Sequence, residues 1–175
     1  MRKTYFLTTA VIAVSLAGCG TQSDPNKREP GKWKTEMTLV NFDMTGVPAN
    51  MQAQMAQMKP QIEAAMAEKM KSTGIAELCL SAEQSAKENV SEGLTQGFSQ
   101  GGTCKETMNK VADGKIDFAA DCNLASQAAK MTMNGTMESK KIDALMTFDV
   151  AAAAGKPGMN MKIKALATHL GKCDA

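Results

Sequence analysis

Aromatic side chains make up only 4% of the 175 residues, and there is one histidine, one tryptophan and one tyrosine. The tyrosine is Tyr5, so the rings beyond the first twenty residues are Trp33, Phe42, Phe98, Phe118 and Phe148. A core so poor in rings must rest on Met, Leu, Ile, Val and Ala, and it calls for covalent support. The lone histidine, His169, has no Gly-x-Ser-x-Gly motif to serve, so its expected role is packing in an aromatic-like position. No two cysteines have C-x-x-C spacing, which argues against a zinc site. No strong charge of one sign is present. Twenty basic and eighteen acidic residues leave a formal net charge of +2. That balance excludes nucleic acid and polyanions as dedicated partners. Gly101-Gly102 precedes a strand pattern instead of following one, so no phosphate-cradling loop is expected. No cofactor and no catalytic residue are called for.

What is present begins with residues 1–18, which have the layout of an export signal. Arg2 and Lys3 give a positive start, and an apolar run from Phe6 to Leu16 follows. That run is about eleven residues, short of the roughly 20 needed to span a bilayer. Leu16-Ala17-Gly18-Cys19 resembles the bacterial lipobox, which implies diacylglycerol on the Cys19 sulfur and cleavage before it. Anchoring of this kind needs more than one acyl chain. Gly20 stands where an aspartate would signal retention, so the expected address is the inner leaflet of the outer membrane, facing the periplasm. Residues 19–29 are polar and without apolar periodicity, and they read as the lipidated cysteine and a flexible tether. Residues 30–175 then form a single domain.

Setting Cys19 aside leaves Cys79, Cys104, Cys122 and Cys173. An even number in an oxidising compartment implies two disulfides, in one of three pairings. Residues 104–111 and 115–122 read as a hairpin around Ala112-Asp113-Gly114, a three-residue loop with glycine in its left-handed position. Val111 then faces Lys115, Met108 faces Phe118 and Cys104 faces Cys122. Strand cysteines at that spacing can be bridged, which favours Cys104–Cys122 and leaves Cys79–Cys173.

The remaining pattern predicts an α+β fold. Trp33, Met37 and Leu39 alternate with Lys34, Glu36 and Thr38, a half-buried strand that ends at Thr45-Gly46. Residues 48–73 change to helical spacing, with Met51, Met55, Met58, Ile62, Met66 and Met70 at steps of three and four. Pro60 should kink or split this helix, and Gly74 should stop it. Ser81 is the expected cap of a second short helix. Residues 91–102, rich in Gly, Ser and Gln, read as a loop. Further strands are expected at 128–137, 142–151 and 159–170. The sum is a six-strand, largely meandering antiparallel sheet, with helices inserted after the first strand and covering one face.

Several short motifs also fall in a familiar order. Pro30-Gly31-Lys32-Trp33, the Met-rich stretch, Cys79-Leu80, the Cys104 to Cys122 hairpin and Leu170-Gly171-Lys172-Cys173 resemble the proteobacterial family called domain of unknown function 3617. The resemblance covers residues 30–173 and implies a small exported or lipid-anchored envelope protein. It brings no activity, cofactor or catalytic residue. Lys32 stands where an apolar residue is commoner in that family, and His169 where an aromatic is.

Fifteen methionines are the most unusual feature. On one helix stripe or one strand face they are first of all core. They also line adaptable apolar grooves, and the helical row of five with Ile62 is the candidate here. Soft thioethers suit copper, for which Met131, Met133, Met159 and Met161 are the alternative ligands. The expectation is a non-catalytic, membrane-anchored envelope lipoprotein that binds an apolar ligand or a protein partner, with copper binding as the alternative.

Overall fold

A computed structural model describes residues 26–73, 76–87, 102–124 and 127–174. The expected leader at residues 1–18, Cys19, Gly74 and residues 91–101 of the expected loop lie outside the described residues. In chain order the elements are β1 (Gly31–Thr45), α1 (Ala49–Thr73), β2 (Ala76–Leu80), α2 (Ala82–Lys87) and β3 (Gly102–Ala112). β4 (Lys115–Leu124), β5 (Gln127–Glu138), β6 (Lys141–Val150) and β7 (Gly158–Gly171) complete the sheet.

The fold is α+β with an antiparallel sheet, but the sheet has seven strands, not six, and curls into a half-barrel. Its order is β2-β1-β7-β6-β5-β4-β3. β3 to β7 form the meander, and β7 then lies beside β1 along most of its length. The seventh strand is β2. Its Leu78 and Leu80 alternate with Glu77 and Cys79, but five residues with no β-branched side chain make a weak signal. β2 covers only the first part of β1, from Gly31 to Thr35.

Past Thr35 that side of β1 is taken by α1, which packs on the strand and runs back along it. Met55 and Lys59 lie by Asp43, Glu63 and Ala67 by Leu39 and Asn41, and Lys71 by Glu36. A helix laid over a strand edge hides backbone groups that would otherwise template another chain. The helix sits shallowly. Met55, Ile62, Met66 and Met70 are half-buried, Met51 and Met58 are exposed, and no described side chain of α1 is fully buried. α1 continues through Pro60 as one helix, so of the two expected effects of that proline the split does not occur. The missing N–H orphans the Ala56 carbonyl, and Ala56 is exposed, so water can satisfy it. α2 starts at a reciprocal cap, as Ser81 foretold. Ser81 Oγ accepts from the Gln84 N–H at 3.1 Å, and Gln84 Oε1 accepts from the Ser81 N–H at 2.8 Å.

The β3–β4 hairpin corrects the expected register in an instructive way. Its turn is two residues, Asp113-Gly114, with φ of 52° and 70°, the positive values a type I′ turn requires. Ala112 therefore faces Lys115, and Met108 faces Ala119 and not Phe118. Thr107 is then an extra residue between Glu106 and Met108, and this bulge shifts the pairing by one. Cys104 ends up opposite Cys122 after all, with Cα atoms 4.0 Å apart and a disulfide between them. The turn error and the bulge cancel.

Directly opposed residues share a face, so rows of side chains cross the sheet. One row is Phe42, Met161, Phe148, Met131 and Ala120, and the next is Leu39, Ile163, Met146, Met133 and Phe118. Apart from Phe42, which is buried outside it, these rows form the main core with Ile116, Cys122, Met137 and Ala144. Flexible thioethers fill the gaps that a ring-poor sequence leaves around Phe118 and Phe148.

Candidate functional site

The two ends of β1 have different characters. At its start, Trp33 is fully buried with Leu80 and Ala167, and its indole N–H donates to the Glu29 carbonyl at 2.8 Å. The Arg28 guanidinium lies 5.1 Å above the same ring. His169 meets the ring at 5.4 Å, tilted by 56°, and its Nε2 lies 3.1 Å from the Pro30 carbonyl oxygen. A carbonyl only accepts, so Nε2 carries the proton in this contact. Gly31 has φ of 140°, and a Cβ there would collide with the Gly171 carbonyl and with His169.

Residues 26–29, which composition alone assigns to the tether, are held across this end. Glu29 N–H donates to the Ser139 carbonyl at 2.7 Å, and Lys27 reaches the Ala86 carbonyl. The Ser85 hydroxyl donates to the Arg28 carbonyl, and the Asn26 side chain accepts from Gly114 N–H. Cys79–Cys173 joins β2 to the segment after β7, with Cα atoms 5.7 Å apart. Lys32 bridges the same elements through Glu77 at 3.0 Å and Asp174 at 3.2 Å. Hydrogen bonds to those two carboxylates hold its ammonium above the usual lysine range. This end is shut.

At the other end of β1 lies a cleft of about 390 Å³ between the strand and the first half of α1. Phe42, Met44, Val47, Met55, Ala56 and Ile62 give it apolar walls, and Asp43, Gln52 and Lys59 are its polar groups. Gln52 is held by the Val47 carbonyl at 3.3 Å. Lys59 pairs with Asp43, and Asn41 donates to the same carboxylate at 3.2 Å. Of the helical row expected to line a groove, only Met55 and Ile62 do so here. Met70 packs against the main core, while Met51 and Met58 face solvent. Phe42, Met44 and Val47 were not expected to form the opposite wall. Phe42 and Met44 alternate as strand residues and Val47 follows the strand's end, and nothing local says that a helix will return to them.

The four methionines considered for copper separate. Met131, Met159 and Met161 line one apolar recess of about 90 Å³ with Phe148 and Val150. Met133 lies one row away in the closed core. His169 is committed to Pro30 and Trp33, as a packing residue. Among the described residues no helix is long and apolar enough to cross a membrane, and no three His, Cys, Asp or Glu side chains cluster.

The family described as protein of unknown function, DUF3617, matches residues 28–173. The chain belongs to that family. No curated protein and no solved structure matches it. The DUF3617 match opens at Arg28, inside the docked segment, which fits the contacts that 26–29 make. Three of the five motifs that carry the resemblance also gain a common address. Pro30-Gly31-Lys32-Trp33, Cys79-Leu80 and Leu170-Gly171-Lys172-Cys173 all meet at the shut end. The Met-rich stretch instead gives the far cleft its helical wall, through Met55 and Ile62.

The Asp43–Lys59 pair is the cleft's titratable element. Its hydrogen bond holds the Asp43 carboxyl below the usual 3.8 and the Lys59 ammonium above the usual 10.5. A lowered carboxyl contributes above its unfolded value and fades as pH falls through the folded one. A raised ammonium contributes below its unfolded value and fades as pH rises through the folded one. The clasp is therefore complete from about pH 4 to about pH 10. Both groups are open to water, so salt should weaken it. Lys59→Met should move the Asp43 midpoint up toward the ordinary value in a carboxyl NMR titration. An unmoved midpoint would mean that the two side chains do not meet in solution.

Proposed function

We propose that this DUF3617 protein is a non-catalytic lipoprotein of the bacterial envelope that holds an apolar molecule in the cleft between α1 and β1. The cleft itself carries this reading. At about 390 Å³ it falls within the range of small-molecule sites, and it combines apolar walls with a few fixed polar groups. Methionines on both walls, Met44 and Met55, suit a site that adapts to its occupant. An apolar side chain of an envelope protein is the other occupant such walls would accept.

The anchored location rests on Leu16-Ala17-Gly18-Cys19, and the two disulfides fit an oxidising compartment. Gly20 favours the outer membrane, with the domain facing the periplasm. The geometry suits a tethered binder. The chain enters at the shut end, and β1 then carries it about 40 Å before the cleft, at roughly 3.3 Å per residue. An occupant would thus be held away from the lipid. A second reading has an observation of its own. Met131, Met159 and Met161 share one recess, so copper(I) binding by thioethers is the alternative, and titration with copper(I) against a competing chelator separates the two.

Two outcomes follow. Nile red, an apolar dye, should bind the purified domain, and Met55→Lys or Ile62→Lys should each weaken it about tenfold or more, roughly 1.4 kcal/mol. Met108→Lys, on the exposed face of β3, should leave binding unchanged. Equal affinity in all four proteins would remove the cleft from the account. Separately, Cys19→Ser should abolish incorporation of radiolabelled fatty acid and release the protein from membranes. Labelling that persists in the variant would overturn the anchor.

A further inference from the structure

The methionines divide by exposure in a way that follows the architecture. Met131, Met133, Met137 and Met146, on β5 and β6, are 1–4% exposed and sealed in the core. All five on α1 are within reach of solvent. Met51 and Met58 are 44% and 42% exposed, while Met55, Met66 and Met70 are half-buried, Met55 in the cleft beside β1 and Met70 against the main core. The apolar stripe that seats α1 is Met55, Ile62, Met66 and Met70, so three of its four large side chains are thioethers. The Lys59–Asp43 clasp, an ion pair between α1 and β1, is open to solvent.

We propose that Met55, Met66 and Met70 form an oxidant-sensitive latch, whose conversion to sulfoxides releases α1 from β1 and takes the cleft apart. The co-substrate class is a two-electron oxygen donor such as hydrogen peroxide. The sulfur lone pair forms the S–O bond as the O–O bond breaks, and the departing hydroxide takes up the remaining proton as water. The thioether loses two electrons and the peroxide gains them. Each sulfoxide sets a strong dipole into an apolar contact, where it costs free energy unless it finds a donor. Ile62 alone cannot hold a helix none of whose described side chains is fully buried. The four sealed thioethers of β5 and β6 escape because oxidation of this kind needs access to the sulfur, so that part of the sheet stays folded. The step is reversible in kind, since sulfoxide reductases restore the thioether. The effect on binding rests on the cleft reading above, but the latch itself does not.

The test treats the detergent-solubilised mature protein with graded hydrogen peroxide. Peptide mass spectrometry follows each methionine, hydrogen exchange follows α1 and β5, and Nile red follows the cleft. Sulfoxides should form on the α1 methionines well before Met131, Met133, Met137 and Met146. Amide protection in α1 should then fall about tenfold or more while β5 keeps its own. A triple variant, Met55→Leu, Met66→Leu and Met70→Leu, preserves volume and removes the thioethers. It should keep α1 protected under the same peroxide even though Met51 and Met58 oxidise. An α1 that stays protected when fully sulfoxidised would overturn the latch. So would core methionines oxidising as fast, or a triple variant that loosens as the parent does. If α1 unlatches but the untreated protein never binds Nile red, the cleft reading fails and the latch stands.

Discussion

The pairing of β1 with β7 is the contact on which the rest of this structure depends. Without it the meander from β3 to β7 would be an open five-strand sheet, and the chain's beginning would have nowhere to dock. The pairing joins residues more than a hundred positions apart, so its loop-closure entropy must be offset. Several groups at one spot do this together. Gly31 lets the backbone pass against Gly171 and His169, Trp33 fills the space beneath, and the Lys32 ion pairs tie the edge. The Cys79–Cys173 bridge closes a loop of 94 residues, for which chain-entropy reasoning gives about 4–5 kcal/mol. Three motifs of the family resemblance lie among these same residues and mark a structural closure, while the Met-rich stretch and the Cys104 to Cys122 hairpin lie elsewhere.

Shutting one end leaves the other to α1. β2 covers only five residues of β1, so the strand's remaining edge needs a second cover, and the helix supplies it. Because α1 seats none of its described side chains fully, it leaves space along the strand. The cleft is one consequence, walled on one side by the end of β1 and on the other by the start of α1. A tightly packed core and a loosely seated helix in one small domain divide the work between stability and adaptability.

Much of this was legible in the sequence, because alternation and helical spacing are local properties. β1, β4 to β7, both helices and the Ser81 cap follow from patterns within a few residues; the hairpin gives Cys104–Cys122, and Cys79–Cys173 is the pair that remains. β2 escaped because its strand signal is five residues long and sits between helical stretches. The hairpin turn was misjudged by one residue, and the Thr107 bulge that offsets it has no sequence signature to read. Pro60 stayed inside α1 because the carbonyl it orphans faces water. For the cleft, the helical wall was half legible: Met55 and Ile62 were in the expected row, while Met51, Met58, Met66 and Met70 turned out not to line it. The strand wall was not legible at all, because only the tertiary return of α1 makes Phe42, Met44 and Val47 one side of a site. The docking of residues 26–29 was hidden for a similar reason. It uses backbone groups and polar side chains, which leave no periodicity.

The central claim is that a shut, structural end and an open, apolar end serve different purposes in one half-barrel. Methyl NMR on protein labelled at the methionine methyl groups, titrated with Nile red, tests it most directly. The account predicts that the Met44 and Met55 signals shift with occupancy. Met131, Met133, Met137 and Met146 and the Trp33 indole should stay in place. Shifts centred on Trp33 or on the core methionines, with Met44 and Met55 unmoved, would contradict it.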